Sequence, residues 1–302
     1  MNTALPMRTV TWRLWVAYRG EDFCGFQNQH HQRTVQGVLE SALSRLAHEP
    51  VAVGVAGRTD AGVHAWGQAV SCRMNTQLDG RKLVLALSHL LPKDVSVWQA
   101  DEMPDAFHAR QHSIGKRYIY RIEQTLAPCL FSPWPALRVL HTLDVTSMQQ
   151  AAQHLVGDHD FSSFRAASCT ASHARRFVWK IQMQRKLRGV WIDVRGNAFC
   201  HHMVRILVGT LLQVGRGKLS VDDVQNILQA RCRQRAGPTA PACGLTLQQV
   251  YYPDNLWQAC IPQHAHFPRY PVTTQTWPCG QVRSGPVLAG QSAGKPVRWQ
   301  AS

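Results

Sequence analysis

The sequence predicts an α+β protein made of two related halves with antiparallel sheets. Strand-like and helix-like segments alternate along the chain, and the second half echoes the order of the first. At 302 residues the chain is long enough for two domains of about 150 residues each. The sequence shows no short-period repeat of the kind that indicates a solenoid or propeller.

The first half opens with a strand over 9–18, in which polar and apolar residues alternate. Thr34 can cap a helix whose apolar residues recur at helical spacing from Val35 to Leu46. A strand over 51–55, expected to be buried, and a strand over 68–74 follow. A helix over 81–91 is stopped by Pro92, and strands over 95–100 and 116–122 come next.

The second half predicts a helix over 146–156, strands over 177–184 and 190–195, and an apolar helix over 201–214. A short helix begins near Ser220, because Asp222 and Asp223 favour its N-terminus. The last strand covers 247–252. Beyond 262 the hydrophobic periodicity is lost, which predicts a basic, largely disordered tail. We therefore predict an N-terminal catalytic subdomain over 8–112 that carries the Asp60 loop, a C-terminal subdomain over 113–261 that completes the active site, and a tail over 262–302.

The chain is strongly basic, with 33 Lys and Arg, 18 Asp and Glu, and a formal net charge of +15. No acidic residue lies between Asp160 and Asp193 or between Asp223 and Asp254, although both stretches contain several arginines. Surfaces of a single sign are typical of proteins that bind a polyanion. An arginine-rich proteome would explain the excess of Arg over Lys but not the missing acids. We therefore expect a nucleic-acid partner.

The N-terminus, the hydropathy and the cysteines restrict the class of protein. The first 13 residues lack the apolar segment of a secretory signal, and the longest apolar stretch, 203–214, is too short to span a bilayer. The nine cysteines are scattered, without a C-x-x-C pair, which favours reduced thiols in a cytosol. His201 and His202 are adjacent and should point in different directions on a helix, so we predict no metal site.

The most informative segment is GRTDAGVHA, residues 57–65, which follows the predicted strand over 51–55. Gly57 and Gly62 allow a sharp turn and the close approach of another molecule. A strand that ends in a loop with one carboxylate, Asp60, both fixes and exposes that group for chemistry. The alternative is a type I turn in which Asp60 caps its own backbone. Nine residues in this order favour the chemical interpretation.

Two further side chains are candidates for the same site. Arg205 lies in the apolar helix, where an unpartnered buried guanidinium would be costly, so it needs a carboxylate such as Asp60. It could instead reach the surface or pair with another acid, and spacing alone leaves these alternatives even. Tyr118 lies beside Lys116 and Arg117, and such a tyrosine either packs in the core or stacks on an exposed base.

From about Tyr18 to Tyr252 the sequence resembles the tRNA pseudouridine synthase A family. The matching blocks, in order, are FCGFQ (23–27), TVQ (34–36), GRTDAGVHA (57–65), FHAR (107–110), KRYIY (116–120), DFSSF (160–164), NAF (197–199), MVR (203–205), GTL (209–211), VGRGK (214–218) and TAPACGL (239–245). The resemblance implies the pseudouridine synthase fold. In that fold two RRM-like, ferredoxin-like subdomains with antiparallel sheets join around a central basic cleft.

The family's activity is implied in the same way. Its members isomerise uridine to pseudouridine in the anticodon stem–loop of tRNA, at positions 38, 39 and 40, after flipping the target base. The uracil leaves C1′ through N1, rotates, and rejoins through C5, without a cofactor or metal. The resemblance also implies a cytoplasmic homodimer with tRNA as its partner and no membrane association.

The resemblance assigns roles to individual residues. Asp60 matches the catalytic aspartate, Tyr118 the tyrosine that stacks on uracil, and Arg205 the arginine that pairs with the carboxylate. The positions expected to bind substrate are Arg58, Leu245, Lys116 and Arg110.

Two other functions compete with this one. A non-catalytic tRNA-binding or folding protein would explain the basic stretches equally well, but it would have little reason to keep Asp60, Arg58, Tyr118 and Arg205 together. A Mg²⁺-dependent nuclease fits poorly, because the sequence shows no carboxylate cluster near Asp60. The isomerase is therefore the prediction.

Overall fold

A computed structural model describes residues 7–127 and 134–253, and these residues form ten strands and five α-helices. The predicted α+β class is confirmed. The strands are β1 (Arg8–Tyr18), β2 (Val53–Val55), β3 (His64–Thr76), β4 (Val95–Met103), β5 (Gly115–Gln124), β6 (Leu137–Val139), β7 (Gly157–Asp160), β8 (Arg175–Lys186), β9 (Gly189–Gly196) and β10 (Leu245–Tyr251). The helices are α1 (Val35–Ala47), α2 (Gly80–Leu90), α3 (Val145–Gln153), α4 (Met203–Gly215) and α5 (Val221–Ala230).

All ten strands belong to one mixed, mostly antiparallel sheet with the order β4-β1-β3-β10-β5-β9-β8-β7, in which β2 pairs with β3 and β6 with β5. The strand that connects the two halves is β10. It runs parallel to β3, with Thr246 opposite His64, and antiparallel to β5, with Leu247 opposite Tyr118. The last strand of the described residues therefore lies between the strand that follows the Asp60 loop and the strand that carries Tyr118.

The helix N-termini follow the signals in the sequence. The side chain of Thr34 accepts a hydrogen bond from the N–H of Gly37 at the start of α1, as predicted. At the start of α5, Ser220 and Asp223 form a reciprocal capping box. The apolar faces of these helices contribute to the hydrophobic core, which includes Leu39 in α1.

Two local predictions need correction, and two short strands are additions to the predicted set. The strand predicted over 51–55 forms only over Val53–Val55, and these residues are half-buried rather than buried. The helix predicted from residue 201 begins at Met203, because His202 has a φ of 59° and left-handed backbone cannot continue a right-handed helix. Strands β6 and β7, of 3 and 4 residues, were not predicted because segments so short show no periodicity.

In the folded protein, arginines of the two acid-free stretches pair with acidic residues from outside those stretches. Arg175 pairs with Asp158 at 3.0 Å, and Arg231 pairs with Asp160 at 3.4 Å. Both pairs involve an acid that lies outside the arginine's own stretch. Part of each predicted basic surface is therefore neutralised locally.

Three features of the sequence can be compared with the described residues. The six described cysteines are free: Cys24, Cys72, Cys169, Cys200, Cys232 and Cys243. None of the described helices combines the length and the apolar character needed to cross a membrane. The predicted tail, 262–302, lies outside the described residues.

Candidate active site

The loop that carries Asp60 connects β2 to β3. The backbone N–H of Val63 donates to the carbonyl of Asp60 at 3.1 Å and closes a turn. Gly62 has a φ of 78°, a conformation that favours glycine. From another segment, the N–H of Phe26 donates to the carbonyl of Thr59 at 3.1 Å. The backbone on both sides of Asp60 is thus held by hydrogen bonds.

A buried polar network holds the base of this loop. The hydroxyls of Tyr18 and Thr59 are 2.7 Å apart, and the side-chain amide of Gln68 donates to the carbonyl of Gly57 at 2.7 Å and to the Tyr18 hydroxyl at 3.3 Å. Burial raises the pKa of Tyr18 to about 12, so its hydroxyl is a neutral hydrogen-bonding group at physiological pH. The network joins β1 and β3 to the loop.

Asp60 and Arg205 meet, although 145 residues separate them. Nη1 of Arg205 donates to Oδ2 of Asp60 at 3.1 Å, and its Nε donates to the carbonyl of Ala240 at 2.8 Å. The side chain of Arg205 is only 15% exposed and that of Asp60 only 19%. Spacing left this pairing open, and the fold provides it. Arg205 supplies the counter-charge that a partly desolvated carboxylate requires.

The structure overturns the argument that His201 and His202 point in different directions. Both residues lie in the turn before α4, and their ring centroids are 3.9 Å apart. Nε2 of His201 is 3.4 Å from Oδ1 of Asp60, and Nε2 of His202 is 3.5 Å from Oδ2. Asp60 therefore is a carboxylate partner for the pair, and the three residues could hold a metal ion.

The electrostatic environment of His202 favours the neutral imidazole. Burial lowers the pKa of His202, the neighbouring His201 and Arg205 lower it further, and Asp60 opposes them by raising it.

Tyr118 is buried on β5 and makes an edge-to-face contact with Phe199, with ring centroids 5.3 Å apart. Burial raises the pKa of Tyr118, and the nearby Tyr18 and Asp60 raise it further. The phenol is therefore protonated at neutral pH.

Lys116 reaches the Asp60 loop from β5. Its side chain crosses Gly57 so closely that a Cβ on this glycine would lie 2.5 Å from Cε of Lys116. Burial lowers the pKa of Lys116 to about 8, and the positive charge of Arg110 contributes to the decrease. A half-buried ammonium group with a neighbouring arginine can attract a phosphate.

The remaining predicted site residues are Arg58, Arg110 and Leu245. Arg58 and Arg110 are exposed, and within the described residues neither forms an ion pair with Asp60. Leu245 is buried at the start of β10, opposite Tyr120. The structure thus brings Arg205, His201 and His202 to within 3.5 Å of Asp60, and Lys116 crosses the same loop at Gly57.

Sequence reasoning missed the two histidines as partners of Asp60, and it missed the network of Tyr18, Thr59 and Gln68. The two adjacent histidines are visible in the sequence, but a helical backbone at these positions would point their side chains in different directions. Gln68 carried no signal, because nothing in the spacing of residues shows that an amide on β3 will reach the carbonyl of Gly57.

Comparison with known proteins identifies the family. A family model described as tRNA pseudouridine synthase matches residues 14–110 and 151–253. The chain belongs to the tRNA pseudouridine synthase family. The family and the enzyme class predicted from the sequence, an isomerase acting on tRNA, are thereby confirmed.

Individual relatives match about four fifths of this chain and nearly all of their own length. A tRNA pseudouridine synthase A from Hydrogenovibrio crunogenus is 42% identical over 258 residues, which cover 81% of this chain and 97% of the relative. The protein of the same name from Acetivibrio thermocellus is 39% identical over 82% of this chain and 100% of its own length. Among solved structures, a chain of a Cbf5-Nop10-Gar1 complex matches 80% of this chain and 59% of its own, with 12% identity and a TM-score of 0.32.

Proposed function

We propose that this family member isomerises uridine to pseudouridine in the anticodon stem–loop of tRNA, at positions 38, 39 and 40. The observation that carries the proposal is the pair formed by Asp60 and Arg205 at 3.1 Å. Asp60 lies in a loop whose backbone is held on both sides by hydrogen bonds, and Arg205 reaches it from α4. Family membership supports the reaction, and the resemblance supports the choice of stem–loop. As the resemblance further implies, we propose a cytoplasmic homodimer.

The isomerisation needs no external reactant. The C1′–N1 bond breaks and a C1′–C5 bond forms, while one proton leaves C5 and N1 gains one, so atoms and electrons balance within the nucleotide. Asp60 is the proposed catalytic carboxylate, acting either on the ring or at the sugar. Arg205 holds it in position and compensates its charge.

We assign Tyr118 to the detached base. A buried, protonated phenol is suited to stacking on uracil and to donating a hydrogen bond to it. Leu245 is assigned to the apolar lining of the base pocket.

Binding of the flipped nucleotide is assigned to cations around the Asp60 loop. Extruding a stem nucleotide costs a few kcal/mol of stacking and pairing, which contacts to phosphates can offset. Lys116 crosses the loop at Gly57. Arg58, next to Asp60 in the chain, and Arg110, which interacts electrostatically with Lys116, are the other proposed contacts.

The proposal gives each half of the chain a distinct task. The first half, 8–112, supplies Asp60 and Arg58, and the second, 113–261, supplies Tyr118, Arg205 and Leu245. The Asp60–Arg205 contact between residues of the two halves supports this division.

The test is release of tritium from C5-labelled uridine in unmodified tRNA. The wild-type protein should release tritium, and Asp60→Asn should abolish release while tRNA affinity, measured by filter binding, stays nearly unchanged. Asp105→Asn is the matched control, because Asp105 is exposed and its 3.4 Å contact with Arg73 is outside the site. Full activity in Asp60→Asn would refute the assignment of Asp60. Tight binding without release by any variant would indicate a tRNA-binding protein instead.

A further inference from the structure

Asp60, His201 and His202 form a convergent group of metal-binding side chains. One ligand atom from each residue lies within 4.8 Å of the other two, and no other such group of three is found among residues 7–127 and 134–253. The two imidazoles come from consecutive residues, yet both Nε2 atoms approach the same carboxylate. The chemistry of the group, two imidazoles and one carboxylate, is that of a common zinc ligand set.

The two histidine nitrogens approach different oxygens of Asp60, at distances longer than those of strong hydrogen bonds. Charge-assisted N–H···O bonds are usually about 2.7–2.9 Å long, whereas the nitrogens of His201 and His202 are 3.4 and 3.5 Å from Asp60 oxygens. Two ligand atoms about 2.05 Å from a tetrahedral Zn²⁺ are roughly 3.3 Å apart. Each nitrogen–oxygen distance is close to one edge of such a tetrahedron, and because the three ligand atoms lie within 4.8 Å of one another, a zinc ion would draw them slightly closer together.

We propose that Zn²⁺ binds reversibly to Asp60, His201 and His202 and inhibits the protein by occupying Asp60. The effect on catalysis rests on the proposed function of Asp60, whereas the binding site itself does not. Imidazole ligands and a single carboxylate favour zinc over Mg²⁺ or Ca²⁺, which prefer oxygen ligands.

Arg205 limits the affinity. Its guanidinium donates to Oδ2 of Asp60 at 3.1 Å, so a cation competes with this hydrogen bond and is repelled by the positive charge. Oδ1, the atom nearer to His201, does not accept that hydrogen bond. Zinc at this site is therefore weakly held and removable by a chelator.

The chain contains a matched control. His30 and His31 are also consecutive, their ring centroids are 3.8 Å apart, and His31 has a φ of 56°, compared with 3.9 Å and 59° for His201 and His202. Within the described part of the chain no carboxylate completes a group of three around His30 and His31. The two pairs thus differ in the presence of Asp60.

The first experiment measures zinc binding without tRNA. ZnCl₂ is titrated by calorimetry into the full-length wild-type protein and into Asp60→Asn, His202→Asn and His31→Asn, after circular dichroism has shown that each is folded. We expect one zinc site to weaken at least tenfold in Asp60→Asn and His202→Asn and to persist in His31→Asn. Zinc bound to cysteines would appear equally in all four proteins. Equal binding throughout would refute the site, and His201→Asn replaces His202→Asn if the latter does not fold.

The second experiment measures tritium release at increasing ZnCl₂. Wild type and His31→Asn should lose activity at least tenfold when the site is filled, and EDTA should restore it. In His201→Asn the fractional inhibition at the same zinc concentration should be much smaller. Zinc binding at the site without inhibition would refute the inhibitory role. Absence of tritium release even without zinc would instead contradict the proposed function and leave the calorimetric result valid.

Discussion

Replacing Lys116 with Met should stabilise the protein while weakening its binding of tRNA. Burial lowers the pKa of Lys116 from 10.5 to about 8, and at pH 7 the amine is protonated in both the folded and unfolded states. The folded protein therefore bears the full cost of the buried charge. At 1.36 kcal/mol per pKa unit, this shift corresponds to about 3 kcal/mol. Met keeps the unbranched apolar stem that packs against Gly57 and removes the charge.

The stability difference between Lys116→Met and the wild type should change with pH in a definite direction. Between the folded pKa of about 8 and the unfolded value of 10.5, the unfolded chain binds more protons at Lys116 than the folded one. The wild type therefore gains stability relative to Lys116→Met as pH rises through this window. The advantage of the variant should fall from about 3 kcal/mol at pH 7 to roughly 1.4 kcal/mol at pH 9.5.

Urea denaturation of both proteins at pH 7 and pH 9.5 measures this difference. Lys180→Met is the control, because Lys180 is exposed and its replacement should change stability by less than about 0.5 kcal/mol. Filter binding should show weaker tRNA binding by Lys116→Met. If this variant is no more stable than the wild type at pH 7, and the difference does not vary with pH, the explanation from buried charge is wrong.

Two further substitutions test the surroundings of the site. Tyr18→Phe removes a hydroxyl that lies 2.7 Å from the hydroxyl of Thr59 and should cost about 1–2 kcal/mol of stability. It should also lower kcat more than it raises KM. A kcat equal to that of the wild type would show that the network does not position Asp60. Asp193→Asn leaves Arg117 and Arg195 without their shared buried partner and should cost about 2 kcal/mol, because both arginines keep some solvent. Burial opposes ionisation of Asp193, but hydrogen bonds from both arginines outweigh it and lower its pKa, so the cost should be full above about pH 4 and shrink as pH falls through the lowered value. A stability difference that persists in acid would contradict this account.

Most secondary structure could be predicted from local sequence signals. Thr34 capped α1 as expected, because the preference of a hydroxyl for a helix N-terminus depends only on neighbouring backbone. The start of α4 at Met203 could not be predicted, because no residue type in the sequence marks His201 and His202 as non-helical. The left-handed conformation of His202 is visible only in three dimensions.

For the candidate site, the sequence by itself determined which residue types were available. The GRTDAGVHA segment identified Asp60 as the central carboxylate, and the ordered blocks identified the family, which the comparisons confirm. Periodicity also determined the α+β class. These properties follow from local backbone preferences and from residues that are adjacent in the chain, which the sequence records directly.

Only the tertiary structure decided which residues meet. Arg205 reaches Asp60 across 145 residues, and β10 comes to lie between β3 and β5. Tyr18 supports the loop from another strand, and His201 and His202 converge on the carboxylate. Such contacts depend on the order of the strands in the sheet and on where each helix packs. The number of residues between two positions in the sequence does not show how far apart they lie in the folded protein. The pKa values of Lys116 and Tyr118 follow from the same packing, because burial causes the largest part of both shifts.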